Sequence, residues 1–139
     1  MPQHHGPLGP DRVISIDHEL KSELDKVIKD NKIDLDNKHI YLLSIALALK
    51  YHLQLKPSKR KEGITRTSYL AEEASMLCAF VYQYSEDISI LYPENRDKFF
   101  EIAEKLANAG IKETIKLISS PGEMENAVLI LANEMSSSD

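Results

Sequence analysis

IYLLSIALALKYHLQL, residues 40–55, is the stretch on which the fold class turns. Ile40, Leu42, Leu43, Ile45, Ala46, Leu47, Ala48 and Leu49 leave no wide polar face, and a helix apolar nearly all round is one buried on most of its sides. Asp36 is a good N-cap for it. Lys38 and Lys50 stand near its ends, and the apolar run falls short of the roughly 20 residues a membrane span needs. The segment is therefore a central core helix. Pro57 ends it, because the residue before a proline is pushed out of helical geometry. A chain of 139 residues with 42% hydrophobic side chains can bury one core around such a helix.

Upstream, Leu20, Leu24, Val27 and Ile28 recur at helical spacing between Asp17 and Asp30, with Ser15 or Asp17 as the cap. Downstream, Leu70, Ala74, Leu77, Cys78 and Val81 mark a third helix over Tyr69–Tyr84, capped by Thr67 or Ser68. A fourth runs from Pro93 to Ala109 on Phe99, Ile102, Ala103 and Leu106, and Gly110 reads as its stop. Ile111 to Ile118 then forms a short fifth. Ser120-Pro121-Gly122-Glu123 is a capping box that opens a last helix through Met135. No segment shows sustained period-two alternation. The expected fold is all-α, a compact irregular or orthogonal bundle of five to six helices. It occupies one domain over residues 13–135, with 136–139 a frayed tail. MPQHHGPLGP carries no periodicity and looks like a protease-cleavage scar, so residues 1–12 are set aside as a disordered leader.

Little in the chain points to catalysis. Beyond the leader the histidines are His18, His39 and His52, with no H-x-x-x-H or E-x-x-H spacing, so no metal site is expected. Arg12 and His18 give the R-x5-H spacing of some helical RNases, but outside a helix. The carboxylate pairs Glu72/Glu73, Glu101/Glu104 and Glu123/Glu125 read as solvated helix surface. General acid–base work needs carboxyls converging in a cleft. Cys78 lies on an apolar stripe, a buried structural cysteine. One cysteine also excludes an internal disulfide and fits a reducing, cytoplasmic setting. Gly-rich phosphate loops and nucleophile elbows are missing. The chain is read as non-enzymatic, with no cofactor.

The informative feature is the basic stretch KPSKRKEGITR. Lys56, Lys59, Arg60, Lys61 and Arg66 face one acid, Glu62, so residues 56–66 carry +4 within a chain of net charge −5, leaving −9 on the rest. Such a segment contacts phosphates or an acidic protein surface, and the surrounding negative charge confines any DNA contact to it. Tyr82 and Tyr84 cannot both face inward, since helix positions two apart point about 200° from each other. One of the pair is thus a candidate interface anchor. A second copy of the chain could also cover part of the apolar central helix.

Two stretches carry a family likeness. One is HIYLLSIALALKYHLQLKPSKRKEG, an apolar, alanine-bearing helix running into a basic, proline-containing link. The other is DKFFEIAEKLANAGIKETIKLI, a helix with Asn108-x-Gly110 followed by a short amphipathic piece. Together, over Asn37–Ile118, they resemble small accessory proteins encoded beside DNA phosphorothioation (Dnd) genes and related phage-defence clusters. The resemblance implies a small helical component of a bacterial or archaeal DNA-modification or defence system. It carries over no catalytic signature. The expected function is a non-enzymatic accessory subunit that docks on a larger DNA-processing partner. The alternative is a DNA-binding accessory or regulatory protein using residues 56–66.

Overall fold

The computed structural model describes residues 6–120. Among them four α-helices pack with a two-stranded antiparallel sheet: β1 (Val13–Asp17), α1 (His18–Asn31), α2 (Asn37–Lys50), β2 (Lys61–Arg66), α3 (Ala74–Ser85) and α4 (Arg96–Ile118). Residues 121–123 of the expected capping box and the helix expected after it lie outside the described residues.

The strands overturn the all-α expectation. β1 and β2 pair from Val13–Arg66 to Asp17–Lys61, with a bulge opposite Ile14/Ser15, and the fold is α+β. Ile14 and Ile16 turn inward, 4% and 0% exposed, while Val13 is open. That alternation spans only five residues, too few for a periodic signal to emerge. Half of the basic stretch, read as a loop, is thus β2.

α2 sits at the centre, as its sequence demands: every residue from Ile40 to Leu49 is buried. It ends at Lys50 rather than running to Pro57. His52 takes a left-handed conformation (φ 52°) and the Leu53 N–H reaches back to the Ala48 carbonyl at 2.9 Å, a Schellman-like closure. Histidine is among the non-glycine residues that tolerate this conformation best.

The expected break at Gly110 is a second correction. Residues 96–118 form one continuous helix. Gly110 lies where α4 crosses α2, and a Cβ there would run into the Ser44 backbone carbonyl. The glycine is required by close helix approach, not by a terminus. Around it, the Ser44 and Thr114 hydroxyls bond each other at 2.8 Å and reach back to the Ile40 and Gly110 carbonyls of their own helices. The helix read over Tyr69–Tyr84 begins as a 3-10 segment, Thr67–Glu73, and becomes α-helical at Ala74.

Gly6–Arg12, within the stretch set aside as a leader, packs against the body. Leu8 is 4% exposed, and the Asp11 carboxylate accepts from the Arg66 guanidinium and the Ser68 N–H.

Candidate partner-docking surface

Between α2 and β2 the chain runs 56–60 without regular structure, and its backbone groups need partners elsewhere. Two side chains supply them. Asn108, 1% exposed on α4, donates its amide N–H groups to the Lys56 carbonyl (2.9 Å) and the Ser58 hydroxyl (2.9 Å). Its carbonyl oxygen accepts from the Asp17 N–H at 2.8 Å. Asp17, the N-cap of α1, accepts from the Lys59 N–H at 2.8 Å with one oxygen and from the Glu19 N–H at 3.2 Å with the other. The Ser58 hydroxyl donates to Glu104 at 2.8 Å, and the Arg60 carbonyl accepts from the His18 N–H at 2.7 Å. A segment without secondary structure is thereby held in one conformation.

Desolvation pushes the Asp17 carboxyl up, but backbone N–H groups of Lys59, Arg60, Leu20 and Glu19 together outweigh it and hold the group below its ordinary range. The anion is thus the form that fixes the loop. Asp11 is held down to about 2, chiefly by its hydrogen bond with Arg66.

The five basic residues fall into two sets. Arg66 is tied to Asp11 at 2.8 Å and Lys61 to Glu104 at 3.5 Å. Lys56, Lys59 and Arg60 are exposed, and among the described residues no carboxylate lies within ion-pair distance of them. The structure thus gathers three unpaired cations on five residues of fixed backbone. A groove of about 150 Å³ beside them is lined by Lys56, Pro57, Lys59 and Lys112 and by Asp17, Glu19 and Glu23.

Tyr82 and Tyr84 on α3 are both exposed, at 42% and 44%, away from this segment in sequence. Ile88 and Tyr92, on the turns that follow α3, are open as well.

The remaining candidates do not converge. Arg12 and His18 flank β1 at its two ends, roughly 20 Å apart at strand rise. Arg12 stacks over the Phe100 ring, whereas His18 Nδ1 lies 2.5 Å from Glu62. His39 neighbours Glu73 at 3.7 Å, and His52 is exposed. Among the described residues no group of three His, Cys, Asp or Glu side chains could hold a metal ion, and no helix is long and apolar enough to cross a membrane. Burial pushes the Cys78 thiol up, away from the nucleophilic thiolate.

Asn108, Asp17 and Glu104 organise this surface, yet sequence reasoning gave Asn108 only the role of a helix terminus and Asp17 that of a cap. One signal for Asn108 was present: an amide between Ala107 and Ala109, three residues before the apolar Ile111, is a polar group the helix cannot satisfy itself. Neither a protein-family model, nor a curated protein, nor a solved structure matches the chain.

Proposed function

We propose that the protein is a non-enzymatic interaction subunit that docks through Lys56, Lys59 and Arg60 on an acidic segment of a larger DNA-processing partner. The carrying observation is the pinned 56–60 backbone with three unpaired cations. A prearranged charge cluster loses little entropy on binding, and its charges are not already spent within the fold. The resemblance of residues 37–118 to Dnd-associated accessory proteins supports a DNA-modification or phage-defence setting.

A second reading, contact with nucleic acid, draws on the same three cations. Three phosphate contacts would give a log–log salt slope of about 3, a shallow and sequence-independent attachment. Lys61 and Arg66, held by Glu104 and Asp11, would add to it only by breaking those ion pairs.

The discriminating experiment measures a labelled oligo-glutamate peptide and a labelled duplex of about 30 base pairs across a salt series. It compares the intact chain with Lys56→Ala/Lys59→Ala/Arg60→Ala, which leaves the internal ion pairs in place. Peptide binding that is lost in the triple variant supports the docking reading. Duplex binding with the stated slope, in the absence of peptide binding, replaces it with the second. No binding of either at low salt removes both.

A further inference from the structure

The groove of about 150 Å³ beside the 56–60 segment has charges of both signs on its walls. Glu19 and Glu23 come from α1, Lys56 and Lys59 from the segment, and Lys112 from α4. All five are exposed. Like Lys56 and Lys59, the side chains of Glu19, Glu23 and Lys112 have no opposite charge within ion-pair distance among the described residues, although Lys26 follows Glu23 by one turn. Elsewhere on α1 the charges are spent: Lys21 holds Asp25 at 2.7 Å. The Asp17 carboxylate, also on the groove, gives both oxygens to backbone N–H groups. The five free charges stand on fixed backbone. Glu19 and Glu23 lie one turn apart on one face of α1, and Lys112 is within α4. The Lys56 N–H donates to the Lys105 carbonyl at 3.2 Å while Asn108 holds the Lys56 carbonyl.

Resting on the docking reading above, we propose that the acidic partner segment taken by Lys56, Lys59 and Arg60 carries one Lys or Arg among its carboxylates, seated against Glu19 and Glu23, and that Lys112 is a fourth contact for those carboxylates. Two carboxylates one turn apart offer a single ammonium or guanidinium acceptors on both sides. An all-acidic segment drawn to Lys56 and Lys59 brings like charge against Glu19 and Glu23 in the same groove. A basic side chain at that point turns the repulsion into attraction. Attraction and repulsion built into one surface are what separate a partner from its competitors. A nucleic-acid backbone is a row of phosphates with no cation to offer, so the α1 wall works against it. A protein segment of mixed charge satisfies both walls at once, and because their backbone is already fixed, little ordering is left to oppose binding.

The test measures the affinity of the full chain for the labelled peptide acetyl-Glu-Glu-Glu-Glu-Glu-amide and for two sets in which a single Gln or a single Lys is walked along it. Net charge alone orders them all-Glu, Gln, Lys, from tightest to weakest. At one position at least, the Lys peptide should instead bind about threefold tighter than its Gln counterpart. Glu19→Gln/Glu23→Gln should erase that preference and tighten the all-Glu peptide. Lys112→Ala should weaken every peptide about threefold and leave the preference in place. The three substituted side chains are exposed, so the fold should tolerate the changes; if the double variant does not fold, the comparison of Lys with Gln on the unaltered chain decides. Lys peptides no tighter than Gln peptides at every position, or a preference that survives the double variant, would overturn the proposal. Binding of the all-Glu peptide would in that case leave the docking reading standing, whereas no binding of any peptide removes both. Unchanged affinities in Lys112→Ala would strike Lys112 from the site.

Discussion

Removing the Asn108 side chain should destabilise the fold and release the cationic segment together. Asn108→Ala deletes three hydrogen bonds, to the Asp17 N–H, the Lys56 carbonyl and the Ser58 hydroxyl, at 2.8–2.9 Å. Each is worth about 1 kcal/mol net, and the orphaned backbone groups cost at the upper end of that range where water cannot reach them. Alanine returns about 0.5 kcal/mol through helix propensity, because α4 continues through this position. The expected loss is about 2–3 kcal/mol, a sizeable part of the roughly 5–15 kcal/mol that holds a domain together. Asn108→Asp is the sharper variant. It keeps an acceptor for the Asp17 N–H, loses both donors, and sets a second carboxylate in a buried site beside Asp17, so it should cost more than alanine at neutral pH. Urea unfolding at constant m-value measures both. Amide exchange at Lys59, whose N–H bonds Asp17, should accelerate in each. A loss below about 1 kcal/mol for alanine, or an aspartate variant as stable as the alanine one, would refute the account of Asn108 as the clamp of the loop.

Gly110→Ala should destabilise by about 2 kcal/mol through overpacking against the Ser44 carbonyl, although helix propensity alone would make it a gain; a rise in urea midpoint would remove the close-approach argument. Asp17 is depressed below its ordinary 3.8 in the folded chain, so its contribution is present above that pH and lost as pH falls through the folded value. Asp17→Asn should therefore lower stability at neutral pH and flatten the acid limb of a stability–pH curve, and an unchanged acid limb would contradict it. The Tyr41 hydroxyl is fully buried with no hydrogen-bond partner among the described residues, and burial, with the Glu104 charge, pushes its phenol far up. Tyr41→Phe should be neutral or stabilise by up to about 1 kcal/mol, and a clear loss in thermal unfolding would reveal a bond that Tyr41 makes. Tyr82→Ala and Tyr84→Ala should leave stability within about 0.5 kcal/mol, so a loss of partner capture in either would mark an interface anchor.

The helices were legible because their signal is local. Leu20 and Leu24, or Phe99, Ala103 and Leu106, repeat within the turn they stabilise, and the Asp17 cap lies next to the helix it starts. The strands were not, because β1 has only Ile14 and Ile16 to show as a buried face and its partner lies across α1 and α2 in the chain. Gly110 misled for a related reason. Its local preference is for a terminus, and only the arrival of the Ser44 carbonyl from α2 makes a glycine necessary inside a helix.

The same division runs through the docking surface. The sequence places five cations within eleven residues, but the effective charge of a surface depends on which of them the fold has already neutralised. Asp11 and Glu104 decide that, and both come from remote segments: one from the stretch before β1, the other from α4. Asn108 acts one turn beyond Glu104 on the same helix, so α4 both removes Lys61 from the free set and fixes the backbone that carries Lys56, Lys59 and Arg60. Any binding through the proposed surface would therefore depend on α4 as much as on the loop. A change at Asn108 and a change at Glu104 differ in kind: loss of Asn108 leaves the charge and removes its fixed placement, while loss of Glu104 frees Lys61 but also releases the Ser58 hydroxyl, setting added charge against a looser backbone.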